Sequence, residues 1–275
     1  FCAAMERRLA VPTAIAAGCD IFLFNKDLDE DIRFMKEGIA NGILTPERID
    51  EAVTRILAMK AALHLPEKQT EARLVPPKED LAVLKGEKHV EWAKQAADNG
   101  ITLVKDTAGN LPLRPEATPR LLLQLIGPYE EANTQITSTV IPLLEKAGFR
   151  VTLYQPEDFT TGFESVSQFR SKYDAVLYLA NVENRSNATT TRINWYTFFG
   201  QGNNIPWFVD EVPTVFASLG NPYHLMDVPM VKTYINTYDN HQAVIEALVA
   251  KILGKSDFKG VSPIDPYCGL MDARR

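Results

Sequence analysis

Three observations predict an α/β protein with a mostly parallel, doubly wound sheet covered by helices on both faces. Apolar runs of strand length, such as Leu121–Ile126 (LLLQLI) and Ala175–Ala180 (AVLYLA), are nearly continuous, as in strands buried on both sides. Stretches of helical period separate these runs, and strand–helix alternation builds parallel sheets. At Ile101–Leu113 (ITLVKDTAGNLPL) a helix ending in Asn99-Gly100 gives way to a short strand and a Leu-Pro-Leu stop. A new domain therefore starts close to this point.

The first 64 residues hold less than a complete fold. Pro12–Ala17 reads as a short helical piece and Cys19–Phe24 (CDIFLF) as a buried strand. Leu28–Asn41 is predicted helical, with Ile32, Met35 and Ile39 on one side and Gly42 closing it. Thr45-Pro46 sets an N-cap before a proline at the first helical position. Ile49, Val53, Ile56, Leu57 and Leu63 then form one apolar face, with Glu51 and Arg55 as an i,i+4 ion pair outside it. One strand with its helices does not make a sheet. Residues 1–64 are therefore expected to be covered by the second domain, by another copy, or by a chain segment that supplies the missing strands.

Residues 65–86 are polar and carry Pro66, Pro76 and Pro77, the composition of a linker extended in part by proline. Residues 87–275 form the second domain. Glu87–Asn99 is a helix with Val90, Ala93 and Ala97 inward. After Leu121–Ile126 the pair Gly127-Pro128 stops the strand. Ile136, Val140, Leu143, Leu144 and Ala147 give a second helix, which Pro142 should kink or split. Phe149, Val151 and Leu153 alternate as a strand; Phe163, Val166 and Phe169 mark a short helix. Thr214–Leu219 is a strand closed by the turn signal Gly220-Asn221-Pro222, Lys232–Tyr238 is another, and His241–Leu253 is the closing helix.

Composition removes several functions. A chain of 275 residues with 45% hydrophobic and 23% charged residues is globular. A net charge of −6 argues against nucleic acid or an anionic membrane surface as partner, and no apolar run reaches the roughly 20 residues of a membrane span. Cys2, Cys19 and Cys268 are too far apart for a metal knuckle and odd in number, so they read as buried or idle thiols. His64, His89, His224 and His241 lack metal-ligand spacing and read as structural or surface groups; no metal or cofactor is expected. The glycine fingerprint of nucleotide sites and the Walker lysine motif are absent, and Pro128 lacks the N–H a phosphate would need. Phe216-Ala-Ser218-Leu-Gly220 brushes against a nucleophile elbow without its first glycine. The sequons at Asn184 and Asn187 carry little without evidence of secretion. The chain opens on Phe1 and reads as a fragment, with any targeting signal out of view; a cytoplasmic location is slightly favoured.

Longer motifs are more specific. AIAAGCDIFLF followed by GILTPERIDEAVTRILAMKAALHL, then ITLVKD…LPL, VPTVFASLGNPYHLMDVP and AVIEALVAKILGKSDFKGVSPID, together resemble the C-terminal portion of glycoside hydrolase family 3 enzymes, most closely the N-acetyl-β-glucosaminidase subgroup. The resemblance implies that residues 1–64 are the C-terminal end of a (β/α)8-type barrel catalytic domain, 65–86 a linker and 87–275 an α/β sandwich domain. It implies a retaining hydrolase of β-linked amino sugars, although hydrolase and phosphorylase are not separated by these motifs. It also places the nucleophilic Asp and the acid/base His–Asp pair upstream of Phe1, so this chain carries no catalytic residue. The rival reading is a non-catalytic carbohydrate-binding or scaffold module.

The stretch Asn181–Phe208 leaves the carboxyl end of a strand, where open α/β sheets bind ligands, and is long for such a loop. It contains Glu183, Arg185, Arg192, Asn194, Trp195, Tyr196, Phe198, Phe199, Trp207 and Phe208. Phe198, Phe199 and Phe208 read mainly as packing. Arg192, Asn194 and Trp195 offer a charged donor, an amide and a stacking face, and are the candidate sugar-binding residues. For Arg192 and Trp195, sugar contact and structural packing weigh about equally. In the beta-glucosidases of this family the corresponding loop supplies a catalytic Glu; the glucosaminidase-like subgroup does not use it, and Glu183 is not given that role. The loop is expected to face the missing barrel. With the catalytic groups absent, the 275-residue chain assayed alone on a chromogenic N-acetylglucosaminide should show no turnover comparable with an intact glycosidase.

Overall fold

A computed structural model describes residues 5–127, 130–155, 164–184, 191–195, 197–198, 201–202 and 204–275, with the backbone alone at 130–132, 197–198 and 201–202. The chain divides into two compact units, Phe1–Val83 and Leu84–Arg275.

In the first unit, helices α1 (Arg7–Ala16), α2 (Leu28–Ala40) and α3 (Pro46–Ala62) are followed by α4 (Leu65–Thr70) and a 3-10 turn at Lys78–Val83. The stretch read as an extended linker thus carries a helical turn at each end. The caps follow the sequence: Asp27 Oδ1 accepts from the Glu30 N–H at 2.9 Å, and Thr45 Oγ1 accepts from the Arg48 N–H at 3.3 Å with Pro46 in the first turn. The Glu51–Arg55 pair forms at 3.5 Å. Helices α1 and α2 meet closely at Gly38, where a Cβ would lie 2.4 Å from Pro12 Cβ. Beside that contact the buried Asp31 carboxylate receives the Arg7 guanidinium, and Asn25 Nδ2 at 3.1 Å.

Residues 19–24 do not form the expected strand. A strand exists through its neighbour's N–H and C=O groups, and the described residues of this unit offer no ladder. The segment is instead pinned to α3 through Asp20: Oδ1 accepts from Arg48 Nη2 at 2.5 Å and Arg55 Nη1 at 3.0 Å, and Arg48 also donates to the carbonyls of Ile15 and Cys19. Hydrogen bonding from Arg48 holds the Asp20 carboxyl below its usual range. Leu23 and Phe24 are 70% and 98% exposed, and Val53, Leu57 and Leu63 of the apolar stripe are exposed as well. The cover expected for this face is not provided by the unit itself.

The second unit contains α5 (Glu87–Gly100), β1 (Thr102–Asp106), β2 (Arg120–Ile126), α6 (Glu130–Lys146), β3 (Arg150–Leu153), α7 (Val166–Lys172), β4 (Ala175–Ala180), the two-residue strands β5 (Thr197–Phe198) and β6 (Gln201–Gly202), β7 (Thr214–Ser218), β8 (Thr233–Asn236) and α8 (Gln242–Ile252). Six strands form one sheet in the order β1-β8-β7-β4-β2-β3. All neighbours pair in parallel except β1, which lies antiparallel on β8 with a register break between Leu103 and Lys105. The mostly parallel, doubly wound sandwich read from the sequence is therefore present, with one antiparallel edge. Helix α6 continues past Pro142 rather than splitting, with Ile136, Val140 and Leu144 of its apolar face buried in the core.

Alternation along each strand sends side chains to opposite layers. Leu121, Leu123, Ala175, Leu177 and Leu179 join Ala97 of α5, Leu144 of α6 and Leu248 of α8 in one core. Leu122, Val176, Tyr178, Phe216 and Tyr234 join Phe169 of α7 and Phe208 in the other. The registers Tyr178↔Phe216 and Phe216↔Tyr234 place three rings side by side, with centroids 5.6 and 5.7 Å apart. The closing segment is fastened to β1: the buried Lys105 Nζ donates to the carbonyls of Ala273 at 2.7 Å, Pro229 and Arg275 at 3.1 Å, while burial pushes its amine down to about 8.

One ion cluster ties α5 to α8. Lys251 has a fully buried side chain and donates to Asp98 Oδ1 at 2.9 Å and to the Asp257 carbonyl at 2.6 Å. Asp98 also accepts from Lys259 at 2.6 Å and from the Ser256 hydroxyl, and these bonds, that of Lys259 first, hold its carboxyl well below the carboxylate range. Lys251→Ala should lower unfolding free energy by roughly 3 kcal/mol, because it removes the buried one of the two lysines on Asp98, takes the donor from the Asp257 carbonyl and empties the space its stem fills. Asp98 has a depressed folded pKa, so its contribution is complete above the unfolded value of about 4 and is lost as pH falls below it. Denaturant melts of the wild type and Asp98→Asn should therefore differ fully at pH 7 and draw closer as pH falls below about 4, with part of the difference still present at pH 3.

Candidate functional site

The sheet changes winding direction at β2: β3 lies on one side of it and β4 on the other. The crevice between the carboxyl ends of β2 and β4 is where such sheets usually take a ligand. Here asparagines fill it. Asn133 Nδ2 donates to the Gly127 carbonyl at 3.0 Å, Asn181 Nδ2 to Asn133 Oδ1 at 2.9 Å, and Asn240 Nδ2 to Asn181 Oδ1 at 2.9 Å and also to Glu183. A Cβ at Gly127 would come within 2.5 Å of the Asn181 carbonyl oxygen, so the backbones touch across the crevice. Among the described residues, side-chain amides line this crevice. Glu183 stands at the end of this ladder, against Gly220, where a Cβ would lie 2.7 Å from Glu183 Cγ.

Beyond Asn184 the described chain resumes at Thr191, and residues on the turn after β7 hold it. His224 and Ser218 are both 1% exposed. His224 Nε2 lies 2.7 Å from the Thr191 carbonyl, which assigns the ring N–H to that nitrogen, and Nδ1 then faces Ser218 Oγ at 2.7 Å. Burial lowers the imidazole pKa, consistent with a neutral ring. Asn221 Nδ2 donates to the same Thr191 carbonyl at 3.1 Å. Asp227, with its side chain 8% exposed, accepts from the Ile193 N–H at 3.2 Å and from the Arg192 guanidinium, a bond that raises the arginine pKa.

The three candidate sugar-binding residues are thus brought onto one short segment with different surroundings. Arg192 is paired with Asp227 while its side chain stays 60% exposed. Asn194 is exposed, and Trp195 is partly buried against the core that holds Phe208. Phe208 stacks on Phe169 at 4.1 Å, so it is core packing, as read. Arg185, Asn187, Tyr196, Phe199 and Cys2 lie outside the described residues, as does the side chain of Phe198. Ser218 is buried and its hydroxyl also lies 2.5 Å from the Asn221 carbonyl, so it is a turn residue and not an exposed nucleophile. Cys19 and Cys268 are exposed free thiols, and no cluster of potential metal ligands occurs among the described residues. Among the described residues no helix is long and apolar enough to cross a membrane.

The asparagine ladder and the His224–Asp227 turn were not singled out by sequence reasoning. GNPYHLMD carried a signal for the second, since an Asn, a His and an Asp at positions 221, 224 and 227 fall on one side of a helical turn. Asn133, Asn181 and Asn240 are too far apart in sequence for any local pattern.

No family model matches the chain. The beta-N-acetylglucosaminidase/beta-glucosidase of Cellulomonas fimi is 43% identical to it over 274 residues, 98% of this chain and 48% of that protein. The chain belongs to glycoside hydrolase family 3. It spans about half the length of that family 3 relative. The solved structure of beta-glucoside phosphorylase BglX matches 99% of this chain and 48% of its own, at 41% identity and a TM-score of 0.70. A glycoside hydrolase family 3 beta-N-acetylglucosaminidase from Paenibacillus shares the fold at 18% identity and a TM-score of 0.53, over 96% of this chain and 49% of its own.

Within this family 3 domain the ladder should behave as structure. Asn181→Ala removes the middle of the ladder, taking the donor from Asn133 Oδ1 and one acceptor from Asn240 Nδ2, and should cost on the order of 1–3 kcal/mol. Asn194→Ala at the exposed position should stay within about 0.5 kcal/mol. Chemical denaturation of both variants checks the contrast.

Proposed function

We propose that this chain is the C-terminal part of a retaining enzyme that cleaves β-linked N-acetylglucosamine and β-glucose, with its catalytic groups supplied by the length of the protein that this chain does not cover. The identity of 43% across 98% of the chain to a protein named for both activities carries the reading. In it, residues 1–64 end the catalytic barrel, 65–86 form a linker and 87–275 form the accessory domain. The exposed apolar face at Leu23, Phe24, Val53, Leu57 and Leu63 supports a covering segment, since soluble monomers rarely leave a patch of that kind bare. Arg192, Asn194 and Trp195 contribute to the sugar site of the whole enzyme. No cofactor is required, since a carboxylate nucleophile and an acid/base partner suffice for retention.

A second reading is favoured by one observation: the relative with a solved structure at 41% identity is named a phosphorylase. In that case phosphate, and not water, takes up the glycosyl group. The whole protein should release p-nitrophenol from the N-acetyl-β-glucosaminide and the β-glucoside. Adding phosphate should produce a sugar 1-phosphate if transfer to phosphate is the activity, and free sugar alone if hydrolysis is. Absence of turnover on either glycoside would overturn the proposal. Arg192→Ala in that protein should lose about 1.5–3 kcal/mol in kcat/KM, the value of a charged hydrogen bond, with little change in melting temperature.

A further inference from the structure

We propose that His224 is a positioning residue: with Asn221 and Asp227 it clasps the backbone of Thr191–Ile193 and so fixes where Arg192 and Asn194 meet the sugar. This deepens the functional reading above and rests on it.

One short stretch, Asn221–Asp227, places hydrogen bonds on each of three successive residues. His224 Nε2 and Asn221 Nδ2 both take the Thr191 carbonyl, Asp227 takes the Arg192 guanidinium, and its second oxygen takes the Ile193 N–H. The clasp is itself anchored from below. Ser218 at the end of β7 meets His224 Nδ1 and the Asn221 carbonyl, and Asn236 at the end of β8 donates to the Pro222 carbonyl at 3.1 Å. On the other side, Trp195 packs into the core and Ile193 is buried in it. The segment is thus held at residues 191, 192, 193 and 195, while Asn194 and most of the Arg192 side chain remain exposed.

Such an arrangement has a use in binding. Ordering a loop on association costs free energy, and a segment ordered beforehand avoids that cost. A guanidinium held from behind by a carboxylate of low exposure is oriented before a ligand arrives. A loop that only needed to fill space could be fastened by its apolar residues, Ile193 and Trp195. The polar clasp instead fixes the backbone around two exposed polar side chains. The Ser218–His224 pair does not suit nucleophilic catalysis, because both side chains are buried and the second ring nitrogen faces a backbone carbonyl.

The test has a structural arm and a kinetic arm. In the 275-residue chain, hydrogen exchange of the Ile193 amide should quicken roughly tenfold or more in His224→Ala, and stay close to wild type in His224→Gln, whose amide can donate to the Thr191 carbonyl. In the whole enzyme, His224→Ala should raise KM roughly fivefold to tenfold with kcat within about twofold, and His224→Gln should restore KM. Asp227→Asn should give the same KM shift and carries the test if His224→Ala does not fold. Unchanged exchange overturns the clasp. Faster exchange with unchanged KM overturns its role in binding, as does a fall in kcat at constant KM. A whole protein inactive on every β-glycoside fails the functional reading instead, and the exchange result still decides the clasp.

Discussion

Strand β4 is buried along its whole length on both faces, between β2 and β7, and this one constraint shapes most of the second unit. Every side chain it presents must meet an apolar layer, so α5, α6 and α8 cover one face while α7, Phe208 and the ring row Tyr178–Phe216–Tyr234 cover the other. Of the polar groups that do enter, the Tyr178 hydroxyl, whose pKa burial drives upward, donates to the Asn204 carbonyl at 2.9 Å. The chain can become polar only where β4 ends, at Asn181, and there the buried amide must find partners at once. It finds them on α6 and after β8, which is how the ladder arises.

The ladder and the clasp solve the same problem at two distances from the sheet. Asn181 and Glu183 are held by Asn133 and Asn240, from segments following β2 and β8. Thr191 to Ile193 are held by the turn that follows β7. Two parts of the excursion after β4 are therefore fixed by residues that the parallel sheet delivers to its carboxyl edge. The usual ligand crevice of such a fold is closed by this arrangement, and polar groups are displayed further out instead.

Much of this second unit was legible. Continuous apolar runs located β2, β4 and β7 to within a residue, because a strand buried on both faces has no polar alternative. Thr45-Pro46 marked a helix start because a cap is a local event. The misreadings are of things that are not local. Cys19–Phe24 has the composition of a strand, yet strandness belongs to a pair and the partner is not among the described residues of its unit. The pull of Pro142 against its helix is opposed by an apolar face that meets residues more than 100 positions later, such as Leu248. At the site, Arg192, Asn194 and Trp195 were visible as residue types, whereas their fastening to Asp227 and the core depended on which turns the sheet brings together.

The first unit shows the same logic from the opposite side. Arg48 and Arg55 both donate to Asp20 and hold the 19–24 segment against α3 without any sheet. These ionic contacts position the segment and leave its apolar side chains unburied, with Phe24 almost fully exposed. At about 25 cal/mol per Å² of apolar surface, an exposed row of Leu, Phe and Val side chains forgoes several kcal/mol that a neighbouring layer would return. The described residues of this unit leave these side chains uncovered. The comparison with the Cellulomonas fimi enzyme has the matching proportion, since nearly all of this chain aligns to about half of that one.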